Sequence, residues 1–217
     1  MQNKTWNLRN MVLIAMLGAI AFILMFLEIP LPFIAPAFYE MDFSEVPVLI
    51  GAFAMGPGAG VAIEFLKILL HILIRGTSTA YVGELANFLV GCALVVPAGL
   101  LYRRGKTRGR ALAGMVLGTV LMVAAGSLVN AYVLLPWYAN HFFAGAGGME
   151  GILAVGAQVH AGAGTLMGFV LLCVAPFNLV KGIAVSAVTM VLYKRVSVVI
   201  KGHASEKPAD RKREKTA

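Results

Sequence analysis

Lys181 is the only formally charged residue between Glu150 and Lys194, set in the run Ala175-Pro176-Phe177-Asn178-Leu179-Val180-Lys181-Gly182. The uncharged sequence around it is long enough to cross a bilayer, for which a helix needs about 20 apolar residues. A lysine at membrane depth costs several kcal/mol, so it faces a ligand, a partner or water. Snorkelling offers an escape only near a helix end, and the next polar boundary, Tyr193-Lys194-Arg195, lies about three helical turns away. Lys181 is therefore a candidate functional residue.

The rest of the composition agrees with a membrane chain. Hydrophobic residues are 59% and charged residues 13%, with a mean hydropathy of +0.84; soluble domains run nearer about 25% charged. The 217 residues hold about six spans of about 20 residues and leave no room for a soluble catalytic domain. Cys92 and Cys173 both fall in apolar runs and do not form a disulfide framework. Met11 to Leu27 is too long for a signal-peptide core and is followed by Glu28 and prolines, so it stays as a first helix.

These runs predict an all-α integral membrane protein, one membrane domain over residues 1–217, with six transmembrane helices. The spans fall at about 11–27, 47–55, 60–74, 83–101, 111–135 and 171–195, followed by a basic tail over 202–217. The turn signal Gly56-Pro57-Gly58-Ala59-Gly60 divides what would otherwise be one apolar stretch from Val46 to Ile74. Charge supports the division. With both termini cytoplasmic, that side receives Lys4, Arg9, the cluster Arg103-Arg104-Lys106-Arg108-Arg110 and the tail from Lys194 to Lys215. All 18 Lys and Arg but Lys67, Arg75 and Lys181 are then inside. A single Val46–Ile74 helix would put the Arg-rich loop or the N-terminus outside. The Gly- and Ala-rich segment Ala139–Val170 has no Lys or Arg and reads as an outer loop with room for a partial, re-entrant or interfacial piece.

The net charge of +8 does not imply nucleic-acid binding. The basic residues sit in short juxtamembrane loops and a tail, where they fix topology and attract anionic lipid. A P-loop is missing, since Gly162-Ala163-Gly164-Thr165 lacks its lysine. The four histidines, His71, His141, His160 and His203, have no metal-ligand spacing, and no catalytic triad is visible.

Polar residues instead collect near the outer helix ends. Glu84 and Asn87 share a helical face, as do Asn178 and Lys181; Asn130 precedes Leu134-Leu135-Pro136; and the first outer loop brings Tyr39, Glu40, Asp42 and Phe43. Together they suit an apolar and aromatic pocket with a few fixed hydrogen-bonding groups. Asn87, Asn130 and Asn178 equally suit interhelical hydrogen bonds, and Trp137 and Tyr138 suit an interfacial belt. Glu64, Lys67 and His71 lie on one face of the third span, as a self-neutralising pair or a proton relay. Ala15, Gly18, Ala19 and Ala21 make a small-residue face on the first span.

Several of these stretches, in order, resemble the riboflavin-specific S components of energy-coupling-factor (ECF) vitamin transporters. They are Ala15–Ala19, Met41-Asp42-Phe43-Ser44-Glu45-Val46-Pro47, Gly51 to Pro57, Gly83 to Phe88, Asn130 to Tyr138, and Pro176 to Gly182. The resemblance implies a six-helix, non-enzymatic subunit that binds riboflavin as transported ligand rather than cofactor, in an outward-facing pocket roofed by the first outer loop. It also implies a plasma-membrane location and partners: a transmembrane coupling subunit, meeting the Ala15 and Ala19 face, and two ATPases. Asn130 and Lys181 would bond the polar edge of the isoalloxazine ring, and Glu40, Asp42, Glu84 and Asn87 would accept from the ribityl hydroxyls. An S component for another vitamin, a proton-coupled carrier using Glu64, Lys67 and His71, and an intramembrane enzyme are the competing readings.

Overall fold

The computed structural model describes the backbone of residues 7–202 and the side chains of residues 7–193. Lys4, the side chains from Lys194 onward and the tail beyond Gly202, on which part of the charge argument rests, lie outside that range.

Helix α1 (Leu8–Met25) starts where the Asn7 side chain accepts from the Asn10 N–H at 2.9 Å, satisfying one of the donors that a helix start leaves open. Its buried residues are Ile14, Gly18, Ala21 and Met25, a single narrow stripe. Met11, Val12, Met16, Ile20 and Ile23 point outward. That outer surface is expected of a helix whose solvent is lipid.

The loop after α1 is pinched by two short strands, β1 (Ile29–Pro30) and β2 (Glu40–Met41), paired antiparallel with Ile29 opposite Met41. Helix α2 (Glu45–Met55) and helix α3 (Pro57–Arg75) follow. They are separated at Gly56, whose φ of 104° is open to glycine and strained for other residues. Pro57 begins α3 where its missing N–H costs nothing. The predicted division of Val46–Ile74 at this turn is thus present.

Helix α4 (Val82–Arg103) and helix α5 (Arg108–Val129) form a tight hairpin. Thr107 caps α5 by accepting from the Arg110 N–H, and Arg103, Arg104, Lys106, Arg108 and Arg110 are all exposed around the turn. A Cβ at Gly114 would stand 2.9 Å from the Ala98 carbonyl oxygen, and one at Gly118 would strike the Leu94 carbonyl. Absent side chains let the two backbones touch, which is how helices gain packing energy where lipid replaces water.

Past α5 the chain does not stop at the predicted residue 135. A π-helical turn (Asn130–Leu134) passes directly into α6 (Leu135–His141). Helix α7 (Met149–Val159) and the single turn α8 (Leu166–Phe169) follow, then a second π turn (Val170–Val174) and α9 (Ala175–Gly202). In both places a proline, Pro136 or Pro176, is the second residue after the wide turn. A proline clashes with the carbonyl four residues back and donates no bond. A π turn relieves both problems by widening the ladder locally. The Ala139–Val170 segment, read from sequence as a loop with a partial piece, therefore contains the helix α7 and yields its first and last residues to α6 and α8.

Among the described residues, five helical stretches are long and apolar enough to cross a membrane: Leu8–Met25, Pro57–Arg75, Val82–Arg103, Arg108–His141 and Leu166–Tyr193. The 11 residues of α2 reach only about 16 Å, about half the hydrocarbon thickness. Side chains gather in two cores. One, with Leu49, Phe53, Ile63, Leu94, Met115 and Val185, lies among α2, α3, α4, α5 and α9. The other packs Ala35 and Met41 of the first loop against Leu135, Ile152, Phe169 and Phe177.

Candidate functional site

Among the described residues, a pair of adjoining cavities lies beside the first loop. The smaller, about 170 Å³, is lined by Tyr39, Glu40, Glu45, Asn87, Asn130, Asn178 and Lys181, with Phe38, Tyr138 and Phe177 among its apolar walls. The larger, about 450 Å³, is lined by Glu28, Glu40, Asp42, His71, Arg75, Glu84 and Asn87. The two share Phe38, Glu40, Gly83, Asn87 and Tyr138. The larger falls within the range of about 300–1,000 Å³ usual for small-molecule pockets.

The π turns place the amides. Asn130, the first residue of one such turn, donates from Nδ2 to the Gly126 carbonyl at 2.8 Å and accepts at Oδ1 from the Tyr39 hydroxyl at 2.5 Å. That second bond ties the first loop to the helix. Asn178 donates to the Val174 carbonyl, the last residue of the other π turn, at 2.9 Å. It fits there because Gly126 of α5 has no side chain in its way. Gly182 makes room for Thr119 in the same manner one turn further on. Asn87, Asn130 and Asn178 line the cavity, while the amide donors of Asn130 and Asn178 turn back to carbonyls of their own helical stretches rather than across to a neighbouring helix.

Lys181 donates to Asp42 Oδ2 at 2.9 Å and stands 3.5 Å from Glu45 Oε2. Lys67 pairs with Glu64 at 2.6 Å, with Glu45 Oε1 at 3.3 Å, and donates to Ser44 Oγ at 3.1 Å. Glu64 backs onto Gly91 of α4, and its second carboxylate oxygen has no hydrogen-bond partner among the described residues. Asp42 is 4%, Glu45 1%, Glu64 0%, Lys67 0% and Lys181 7% exposed, so five ionisable side chains share one dry cluster. Such burial is tolerated only when charges are paired and bonded. Burial alone would raise the Asp42 carboxyl, but Lys181, then Lys67 and a hydrogen bond from Ser44, hold it down at about 2. At the rim, Glu40 is raised by burial and by the adjacent Glu28 carboxylate, against the pull of Arg75.

Of the residues singled out from sequence, Tyr39, Glu40, Asn87, Asn130, Asn178 and Lys181 line the smaller cavity. Asp42 and Glu84 line the larger, together with Glu40 and Asn87. Asp42 also carries the Lys181 charge, and Glu84 accepts from Thr79 Oγ1 at 2.7 Å. Phe43 lines neither cavity and packs against both cores. Glu64 and Lys67 pair as expected, but His71 stands apart from them, near the Phe26 ring and in the wall of the larger cavity. Ala15 and Ala19 are exposed on α1. Sequence reasoning missed Glu45, Phe177 and the wall position of Tyr138. Glu45 gave no signal in a count of charges, because the two lysines within the spans, Lys67 and Lys181, are already matched in number by Glu64 and Glu84. Phe177 and Tyr138 had no signal beyond being apolar neighbours of candidate residues.

Comparison with known proteins bears on what this arrangement serves. Residues 9–193 match the family described as ECF transporter, substrate-specific component. The riboflavin transporter RibU of Staphylococcus aureus is 33% identical, over 89% of this chain and 93% of its own length. The riboflavin transporter FmnP of Bacillus subtilis is 30% identical, over 86% and 91%. A solved structure of the S component of a bacterial ECF transporter superposes with a TM-score of 0.67 at 32% identity, covering 88% of this chain and 96% of that one.

Proposed function

The chain belongs to the substrate-specific components of ECF transporters, a family of transporters rather than enzymes, and from that premise we propose that it is the riboflavin-binding subunit of an ATP-driven vitamin importer. Riboflavin is its cargo, not a cofactor. The observation that carries this reading is Lys181, a buried ammonium in a cavity wall that also holds Asn130, Asn178 and the rings of Tyr39 and Phe177. The pyrimidine edge of a flavin offers carbonyl and ring-nitrogen acceptors and one N–H. A lysine and an asparagine amide complement that edge, and aromatic walls suit the tricyclic ring. The acidic wall of the larger cavity, with Glu40, Asp42 and Glu84, supplies acceptors for ribityl hydroxyls.

The chamber opens outward, closed by the first loop through Tyr39 and Asp42. The whole chain forms one multi-pass domain of the cell membrane, in which the short helix α2 counts as a sixth span and both termini lie in the cytoplasm. The exposed Arg103–Arg110 loop then lies inside, as the positive-inside rule requires. Energy comes from a separate module, a transmembrane coupling subunit and two ATPases, met by the Ala15 and Ala19 face of α1. Ala15→Trp leaves riboflavin binding intact and abolishes uptake, because bulk on that face blocks helix approach.

Quenching of riboflavin fluorescence, titrated with detergent-purified protein, tests the central claim. Wild type binds, and Lys181→Ala loses about one to two decades of affinity, the worth of a charge-assisted hydrogen bond of about 1.5–3 kcal/mol. Absence of binding by wild type, or equal affinity in the variant, would defeat it.

A further inference from the structure

We propose that Lys67, which lines neither cavity, sets the affinity of the ligand chamber by holding Glu45 and so keeping the Lys181 ammonium available to the ligand. The inference rests on the functional reading above and extends it to a residue outside the chamber. Lys67 is fully buried on α3 and is absent from both cavity walls. Its ammonium reaches Glu64 at 2.6 Å, Ser44 Oγ at 3.1 Å and Glu45 Oε1 at 3.3 Å. Glu45 is the shared member, since its other oxygen lies 3.5 Å from Lys181 Nζ.

An ammonium carries three donors. Among the described residues Lys181 spends one, on Asp42 at 2.9 Å, and its approach to Glu45 is too long for a good hydrogen bond. The remaining donors belong to a group in the cavity wall. That division depends on Glu45 being served from the other side. Without Lys67, the Glu45 carboxylate would be left in a dry site with Lys181 as its nearest cation. Leaving a buried charge uncompensated costs more than almost any other local change. Lys181 would then close onto Glu45 and Asp42 together, and its free donors would turn from the ligand to the protein. Lys67 is thus a positioning residue, acting through Glu45 on the lysine that meets the cargo. Ser44 strengthens the link, because its N–H donates to Asp42 Oδ1 at 2.7 Å while its hydroxyl accepts from Lys67.

Riboflavin quenching titrations of wild type, Lys67→Met and Lys67→Met/Glu45→Gln test the inference. Lys67→Met is expected to bind about tenfold or more weakly, the smallest loss that follows from compromising a charge-assisted bond to the ligand. Adding Glu45→Gln removes the charge that draws Lys181 away, leaving Glu64, which makes no ion pair with Lys181 among the described residues, as the one carboxylate without its cation, and affinity is expected to return to within about threefold of wild type. A role in packing alone would not be rescued by neutralising a different residue. Unchanged affinity in Lys67→Met overturns the proposal, and so does a double variant as weak as the single one. If Lys67→Met is not recovered folded, the double variant decides by the same thresholds. Wild type that fails to bind riboflavin would defeat the functional reading instead, whereas wild-type binding with an indifferent Lys67→Met defeats this inference alone.

Discussion

Where α4 turns into α5, the helices touch backbone to backbone at Gly114 and Gly118, and the aromatic group Phe53, Tyr102 and Tyr193 closes the end of the bundle. Its polar content is a pair of phenol hydroxyls 2.7 Å apart, Tyr102 with Tyr193. At the chamber, by contrast, six charged side chains and two asparagines are buried among α2, α3, α4, α9, the first loop and the π turn after α5. The first region is what packing alone produces. The second is what packing alone would avoid, since replacing a buried ion network by well-packed apolar residues is often neutral or stabilising. With the chamber as the proposed ligand site, stability and recognition fall to different parts of one small bundle, and substitutions should divide accordingly.

The largest effect is expected at the hairpin. Gly118→Leu drives a side chain into the Leu94 backbone carbonyl, and backbone cannot step aside as a flexible side chain can. The cost is about 3 kcal/mol or more, read as loss of the monodisperse peak in size-exclusion chromatography. A Gly118→Leu protein that folds normally but binds riboflavin poorly would erase the distinction between the regions. A smaller loss is expected from Tyr102→Phe, which strips one partner from the phenol pair. It should lower the thermal transition by an amount corresponding to about 1 kcal/mol while leaving riboflavin affinity unchanged; altered affinity would show that the far end communicates with the chamber.

The last effect, absent near neutral pH, concerns acid. The Asp42 carboxyl is held at about 2 against an ordinary value of 3.8. A depressed acid contributes stability that is complete above the ordinary value and is lost as pH falls through the folded one. The difference in thermal transition between wild type and Asp42→Asn should therefore be constant above about pH 4 and shrink only below it. A difference that already shrinks between pH 7 and pH 5 would mean that Lys181 does not hold this carboxylate.

Much of the frame was legible. Long apolar runs, the Gly56–Gly60 turn and the Arg-rich loop located α1 to α4 and the start of α5 within a few residues, because each rests on a local signal of length or turn chemistry. Lys181 was legible for a different reason, the cost of an unpaired charge in lipid. What escaped depends on contacts far apart in the chain. Nothing near Asp42 announces that it pairs with a lysine 139 residues away. Glu45 looks like an ordinary acid at a helix start. The continuation of α5 to His141 was hidden by Pro136, which normally ends a helix and here follows a π turn that accommodates it. Helix α7 was hidden by glycines on either side of it, Gly147 and Gly148 before and Gly162 and Gly164 after.

Those two π turns alter what an insertion or deletion would mean. Each holds one residue more than an α-helical path would use. Losing a single residue from Val170–Val174 would let the segment close as ordinary helix, and because the wide turn spreads nearly the same rotation over one more residue, Asn178 and Lys181 would keep their place in the chamber wall. The same holds for Asn130–Leu134 and Tyr138. At these two places the chain absorbs a one-residue loss, whereas a deletion in a plain α-helical stretch turns everything beyond it by about 100°.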